Sequence, residues 1–543
     1  MLRNCCETGL RRGLRPLGSP LKPEGPLTRK PFIHRALDAI ERLGDRLPDP
    51  VFIFAWIIGG LVLASVICAW VGVSAINPVD GELLRAQSLL TPANIQTLLV
   101  EMPRTLTGFA PLGYVLLIML GAGIAERVGL LSAAIRAMMS RTPRLLVTPV
   151  VIFLGLIANH AADSGFVILL PLAGAAFAAV GRHPIAGVAA AFAGVVGSFA
   201  GNPLPGQFDA LILGLSEPAA RLIDPTWTAN LVGNWYFTAA GALVFIPVAW
   251  WVTAHVVEPR LGPWTPPENL PPQDTPLSPL ERHALIWSGV AVLGVILLWA
   301  ALALAPGAPL VDRSVEGPAR WTPFFRSLVA GFFVLFLAGG LTYGRLTGQI
   351  RTDRDVVRLA SESMASMAPY IVLAFAAAHF IAMFTWSNLG VIIAIHGAET
   401  IRATGLPIPV LLMAIVLLTA ALDMLIGSAS AKWAAIAPVL VPMLMLLGIS
   451  PEMTTAAYRM GDSSVNMASP LMPYFALVLG FCQRWRPGFG VGGLISAMLP
   501  YSAAMMCAGM LLVGLWSALE APLGPAASVH YSPPDAISAS MPR

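Results

Sequence analysis

An all-α polytopic membrane protein, with about nine transmembrane helices plus two re-entrant helical hairpins in an inverted-repeat arrangement, is the fold class this sequence predicts. Three observations predict it. The 543 residues are 56% hydrophobic and only 11% charged, with a mean hydropathy of +0.74, whereas soluble domains run at roughly 25% charged. Apolar runs near the ~20 residues needed to cross the hydrocarbon recur along the chain. Polar and helix-breaking residues also repeat at one spacing: Pro143 and Pro407, Asn159 and Asp423, Gly197 and Gly461, and Asn202 and Asn466 are each 264 apart (407−143, 423−159, 461−197, 466−202).

Taken in order, residues 1–50 form a basic tail with ten Lys or Arg, and their first thirty lack the apolar stretch of a signal peptide. They read as a disordered tail or an over-extended start. Residues 51–140 supply the first spans of a scaffold, with apolar runs at 51–73 and 106–124. Residues 141–228 form the first repeat core. There the arms 145–158 and 168–180 are too short to span and flank a polar tip at 159–165, and a helix broken at Gly-x4-Asn follows. Scaffold spans return over 229–404, at 231–254, 284–305 and 327–343. Residues 405–490 repeat the hairpin and broken helix, with a run at 407–426 and a tip near 427–433. The last span is 491–516 within 491–518, and 519–543 is a tail; the Pro-rich 262–279 and the Ala/Ser/Pro-rich 521–543 segments read as loop and tail.

Charge sets the expected orientation. The loop 127–144 adds Arg127, Arg136, Arg141 and Arg144, whereas 74–104 holds only Arg85 and Arg104, which by the positive-inside rule puts the amino terminus in the cytoplasm of a bacterial inner membrane. The balance of 33 Lys+Arg against 29 Asp+Glu is only +4, so no nucleic-acid partner is expected. Five cysteines without a CxxC pair suggest neither a disulfide framework nor a structural metal, and no cofactor is expected. Duplicated, interrupted apolar segments are the best sequence pointer to the binding site of a secondary transporter. An aspartyl protease would need two carboxylates sharing a proton. A passive channel would not need paired hairpins, and no HExxH marks a metalloprotease.

The candidate site residues gather at the two tips and breaks. Asp163, in NHAADSGF, is an ionisable group between apolar arms, which costs roughly 2.5 to 3.5 kcal/mol on insertion scales. It is read either as a pathway group or as a cap on the second arm. Arg459 and Asp462, three residues apart, share a helix face and can pair. Alternatively, Arg459 is a fork for a solute carboxylate, with Asp462 holding it or exchanging a cation. Asn202, Asn466, Ser463 and Ser464 can coordinate Na⁺ in broken helices, or simply close turns. Trp433 can stack on an aromatic solute or pack the tip, and Lys432 is expected to pair or snorkel.

These residues stand in passages that resemble the aminobenzoyl-glutamate transporter (AbgT) family: TGFAPLG (107–113), GRHPIAGVAAAFAG (181–194), NWYF (234–237), VEPRLG (257–262), MAPYIVLAF (367–375), WSNLG (386–390), GSASAKWA (427–434) and AAYRMGDSSVNMASPLMPYF (456–475). The resemblance implies a homodimer, each protomer with two re-entrant hairpins and a solvent-filled basin. It also implies transport of p-aminobenzoyl-glutamate or export of sulfonamide antimetabolites, with Na⁺ or H⁺ as coupling ion. Carried over residue by residue, the family's substrate site falls on Asp163, Ser430, Trp433, Pro451, Arg459, Asp462 and Pro470. The family's ion-linked asparagine falls on position 423; beside it, Asn159, Asn202, Asp462 and Asn466 are the candidate ion-coupling residues read from the chain itself. At 423 the family asparagine is here Asp423, and IAN (157–159) and GNPLPG (201–206) also depart from the family pattern.

Overall fold

The computed structural model describes residues 50–76, 81–139, 142–158, 165–265, 277–314, 320–423, 426–470, 472 and 474–531. Helix α1 (Pro50–Val71) leads into a short antiparallel pair, β1 (Ser74–Ile76) and β2 (Leu83–Arg85). Helix α2 (Pro92–Thr107) is capped by Thr91 and bends at Gly108 into α3 (Ala110–Arg127), and α4 (Leu130–Met139) follows. The first copy comprises α5 (Val147–Ala158), a π turn (Gly165–Leu169) opening α6 (Leu170–Ala179), α7 (Pro184–Gly197) and α8 (Gln207–Ala220). Then come α9 (Trp235–Val252), α10 (Glu258–Leu261), α11 (Pro279–Leu304), α12 (Thr322–Leu346), α13 (Asp353–Ser366), α14 (Ala368–Trp386) and α15 (Leu389–Ala403). The second copy is α16 (Ile408–Asp423), α17 (Ala429–Met445), α18 (Pro451–Asn466) and α19 (Phe475–Trp485), and α20 (Val491–Ala518) closes the series.

Among the described residues, seven helical stretches are long and apolar enough to cross a membrane: Val51–Val71, Pro92–Arg127, Trp235–Leu261, Pro279–Leu304, Thr322–Leu346, Ala368–Trp386 and Val491–Ala518. Two expectations are corrected by them. The run at 407–426 is not a full span: α16 stops at Asp423 after 16 residues, about 24 Å of helix against a hydrocarbon core of about 30 Å. Conversely, α14 is long and apolar enough to cross although it was not among the expected spans.

Small residues draw the helices together. A Cβ on Gly340 of α12 would meet the Ala125 backbone of α3 at 2.9 Å, and one on Gly155 of α5 would meet Gly194 of α7 at 2.8 Å. Without a hydrophobic force between helices in lipid, such close backbone approach is what holds them. The two copies pack alike: α7 lies on α5 and α6, as α18 lies on α16 and α17. They also cross, with α8 of the first copy seated on α17 of the second.

The segment after α20 is not the free tail expected from its composition, at least to residue 531. Leu523 and Val529 are buried, Ser450 N–H donates to Val529 O (2.9 Å), and Phe237 N–H donates to Leu523 O (3.1 Å). Those donors belong to the amino-terminal ends of α18 and α9, whose free N–H groups need partners. Residues 532–543, like 1–49, lie outside the described residues.

Candidate functional site

The site is built on α18, PEMTTAAYRMGDSSVN, whose fourteen residues from Pro451 to Ser464 are all buried. Ser450 caps it, accepting from Met453 N–H at 3.1 Å, and Pro451 occupies its first position. Four charged groups along it and its neighbours, Asp423, Lys432, Arg459 and Asp462, are almost wholly enclosed. Burying charge is tolerated only when it is paired and hydrogen-bonded.

The pairing differs from the one the sequence suggests. Arg459 does not pair with Asp462 but reaches across to the first copy. Its Nη1 donates to Asp209 Oδ1 (2.5 Å), its Nε donates to Phe199 O (2.5 Å), and its guanidinium carbon sits 5.2 Å from the Phe199 ring centroid. Asp209 Oδ2 meanwhile accepts from Gly206 N–H (2.7 Å), capping α8. The i, i+3 spacing puts Arg459 and Asp462 on neighbouring positions of one face, but Asp209 supplies a carboxylate nearer the guanidinium. Asp209 is a residue that sequence reading missed, and its only signal was a carboxylate three residues into a helix after GNPLPG. Arg459 is thereby a strap from α18 to the broken part of the first copy. Only its Nη2 lacks a partner among the described residues, and it does not line the main cavity.

Asp462 instead faces Lys432 Nζ at 2.6 Å, and the same ammonium contacts Asp423. Lys432 therefore bridges two carboxylates, leaving the trio at a formal −1. Asp423 Oδ2 and Asn466 Oδ1 are buried polar atoms with no hydrogen-bond partner among the described residues. Tyr458 OH donates to Ala429 O and lies 3.4 Å from Asp462 Oδ1.

Trp433 is enclosed. Its ring packs on Tyr458 with centroids 4.4 Å apart, and its Nε1 donates to Ile212 O and Ser216 Oγ, both at 3.1 Å. Tyr458 thus packs against the ring on which a solute was expected to stack. Ser430, in the first turn of α17, is half-buried with its Oγ 3.4 Å from Ser428 Oγ. Pro451 lies eleven residues before Asp462, about 16 Å along the helix, so the two do not share a locus. Pro470 is half-buried just beyond α18.

The two breaks also differ. The first copy's helix ends at Gly197, and Asn202 closes the following turn by accepting from Leu204 N–H (3.1 Å). The second runs through Gly461 to Asn466. Ser463 donates to Val196 O (2.9 Å) and Ser464 to Met460 O (2.6 Å), so both hydroxyls serve backbone carbonyls. Asn159 and Asp163 lie outside the described residues.

A cavity of about 610 Å³ opens between these elements, within the range of small-molecule sites. Val115, Met119, Glu126 and Arg127 of α3 form one wall, with Met367 and Tyr370 at the start of α14. Opposite them stand Phe199, Gln207 and Phe208 of the first copy and Asp462 and Asn466 of the second. Phe166 and Tyr474 also line the cavity and stack on each other, with centroids 4.2 Å apart and planes 11° apart. The site is thus a largely apolar, aromatic chamber, with Asp462, Asn466 and Gln207 on one wall and Glu126 and Arg127 on the other. No group of three or more metal-ligating side chains is found among the described residues.

Known proteins resemble this chain in sequence and fold. The model of the AbgT putative transporter family matches residues 35–531. The p-aminobenzoyl-glutamate transport protein of Escherichia coli (strain K12) is 35% identical over 486 residues, 90% of this chain and 95% of that one. The crystal structure of the Alcanivorax borkumensis YdaH transporter, described as having an unusual topology, is 40% identical with a TM-score of 0.82, over 88% of this chain and 100% of the other. Neisseria gonorrhoeae MtrF, described as illuminating a class of antimetabolite efflux pumps, is 39% identical with a TM-score of 0.84, over 91% and 100%.

Proposed function

We propose a transport mechanism from one premise: this chain belongs to the AbgT transporter family. It is a secondary carrier and not an enzyme. Its solute is p-aminobenzoyl-glutamate or a sulfonamide antimetabolite, and a Na⁺ or H⁺ gradient across the bacterial inner membrane drives it. The protein works as a homodimer with its amino terminus in the cytoplasm, so that the Arg127 end of the cavity faces inward.

The observation that carries this reading is the Asp423–Lys432–Asp462 trio placed against the cavity. Two carboxylates around one ammonium leave a formal −1, and Asp462 reaches the cavity wall. A solute carboxylate about 6 Å from that uncompensated charge would be disfavoured by about 3 kcal/mol at an effective dielectric constant near 20. One bound cation, Na⁺ or a proton, cancels the charge and removes the penalty. Ion and anionic solute then enter together, which is the thermodynamic content of coupling. Asp423 Oδ2 and Asn466 Oδ1 are the spare acceptors for such an ion. The aromatic part of the solute lies against Phe166, Tyr474, Phe199 and Phe208, in place of Trp433. Asp163, by the resemblance, and Asn159, by its match to Asp423, complete the site from the first tip.

The test is uptake of radiolabelled p-aminobenzoyl-glutamate into proteoliposomes under separately imposed Na⁺ and H⁺ gradients, beside an Asp462→Asn control. Accumulation under one gradient, lost in the variant, is the expected result and identifies the ion. Equal, gradient-independent equilibration in both proteins would be a passive pore and would overturn the reading.

A further inference from the structure

A second pocket, of about 300 Å³, lies off the main cavity, and its lining is built differently. Both cavities border the same two helices. Tyr114 of α3 lines the small pocket while the adjacent Val115 lines the large cavity, and on α8 the small pocket takes Gly214, Glu217 and Arg221 while the large one takes Gln207, Phe208 and Leu211. The large cavity continues to Glu126 and Arg127 at the carboxyl end of α3, so the two spaces occupy opposite ends of the α3–α8 seam. The seam between them is tight: a Cβ on Gly214 would meet Tyr114 Cδ2 at 3.2 Å and Pro111 Cα at 3.4 Å.

The charge of the small pocket is not self-compensated. Glu217 is buried and fully used: its Oε1 pairs with Arg221 Nη2 (2.5 Å), and its Oε2 accepts from Ala229 N–H (3.3 Å) with Tyr114 OH at 3.5 Å. Arg221 also donates from Nε to Trp227 O (3.0 Å). That leaves Arg326, an exposed residue in the first turns of α12, as a surplus cation at the pocket's edge, with no hydrogen bond or ion pair among the described residues. A guanidinium at the mouth of a pocket binds a carboxylate or phosphate by its planar fork.

We propose that this pocket is the far vestibule of the transport path, an anion-selecting site in which Arg326 receives the solute's carboxylate before or after it crosses the α3–α8 seam. The assignment rests on the carrier reading above. The order of events is physical: Arg326 attracts an anion at one mouth, and the net-negative trio rejects it at the other unless a cation has bound. A carrier with both features discriminates anionic from neutral solutes at the vestibule and couples them to the ion at the inner site.

The test uses the full-length protein in proteoliposomes, with p-aminobenzoyl-glutamate and a neutral sulfonamide as probes, comparing Arg326→Gln and Arg326→Lys with the unsubstituted protein. The expected result is a KM for p-aminobenzoyl-glutamate raised about tenfold by Gln and largely restored by Lys, with maximal rate within about twofold and sulfonamide kinetics unmoved. The same result is expected in phosphatidylcholine vesicles with and without phosphatidylglycerol. Unchanged KM in a normally transporting Arg326→Gln protein would overturn the vestibule and leave the carrier intact. An effect confined to vesicles containing phosphatidylglycerol would assign Arg326 to a lipid phosphate and overturn it too. Absence of transport by the unsubstituted protein would defeat the carrier reading itself, and this assignment with it.

Discussion

The two copies of the core share a plan and divide its chemistry. In the first, α5 and α7 press backbone to backbone at Gly155 and Gly194. The positions 264 residues on are Thr419 and Tyr458, and close approach has moved to Gly461, against the backbone at Val416. Where the second copy has Lys432, Arg459 and Asp462, the first has Ile168, Val195 and Ser198. Helix α7 is accordingly an uncharged, wholly buried rod, and α18 is an equally buried helix carrying the polar machinery. The contrast lies between the two corresponding helices: α7 supplies rigid packing while α18 holds charge, and Arg459 ties α18 to the buried Asp209 of the first copy. Buried charge persists where each group compensates another.

The comparison breaks most visibly if the charges in the second copy are unbalanced. Lys432→Met leaves Asp423 and Asp462 buried without their shared cation, and we expect a loss of about 5 kcal/mol, read as a collapse of the melting temperature in detergent. Adding Asp423→Asn to that variant should recover part of it. A Lys432→Met protein of normal stability would show that the trio does not exist as described.

Arg459→Ala comes next. The sequence alone suggests lost transport with an intact fold. The structure adds a stability cost of about 3 kcal/mol, because Asp209 would be left buried and unpaired. Thermal unfolding decides between the two: unaltered melting with absent transport would return Arg459 to the role of a solute ligand.

Gly461→Ala and Gly197→Ala test the packing side of the comparison. At 461 the new Cβ would strike the fixed Val416 carbonyl and lie 2.8 Å from Thr419 Cβ, whereas at 197 its nearest contact is the flexible tip of Met505, at 2.6 Å. We expect losses of about 2 kcal/mol and under about 1 kcal/mol respectively. Equal losses would mean that the second copy's tighter approach is not real.

Asp423→Asn should move stability by less than about 1 kcal/mol, since Lys432 keeps Asp462, but should change the Na⁺ and pH profile of transport. An identical profile would remove position 423 from the coupling site. The smallest effect is expected from Ser463→Ala, which deletes one hydrogen bond to the first copy, worth about 1 kcal/mol. Its transport should be near normal, so a large kinetic defect there would point to ion coordination by Ser463.

Much of this was open to reading in the chain itself. Hydropathy over ~20 residues reports membrane crossing because the bilayer core has a fixed thickness, and the 264-residue offset pointed to two corresponding regions, although their helices end differently, at Gly197 and at Asn466. The same offset matched Asp423 to Asn159, while the i, i+3 spacing from Arg459 and the place of Lys432 at the second tip marked Asp462 and Lys432 as charges that need partners. Which partners they take lay beyond sequence. Asp209 and Arg459 are 250 residues apart, and only the crossing of the first copy's turn over α18 brings them to 2.5 Å. Trp433 reads as an aromatic at a polar tip until the fold lays Tyr458 over its ring. The cavity wall drawn from α3, α14 and both cores, and the surplus charge of Arg326, are likewise decided by long-range packing. Local spacing fixes which residues share a helix face, but charge compensation depends on whatever other helix arrives at that face, and that is a property of the tertiary structure alone.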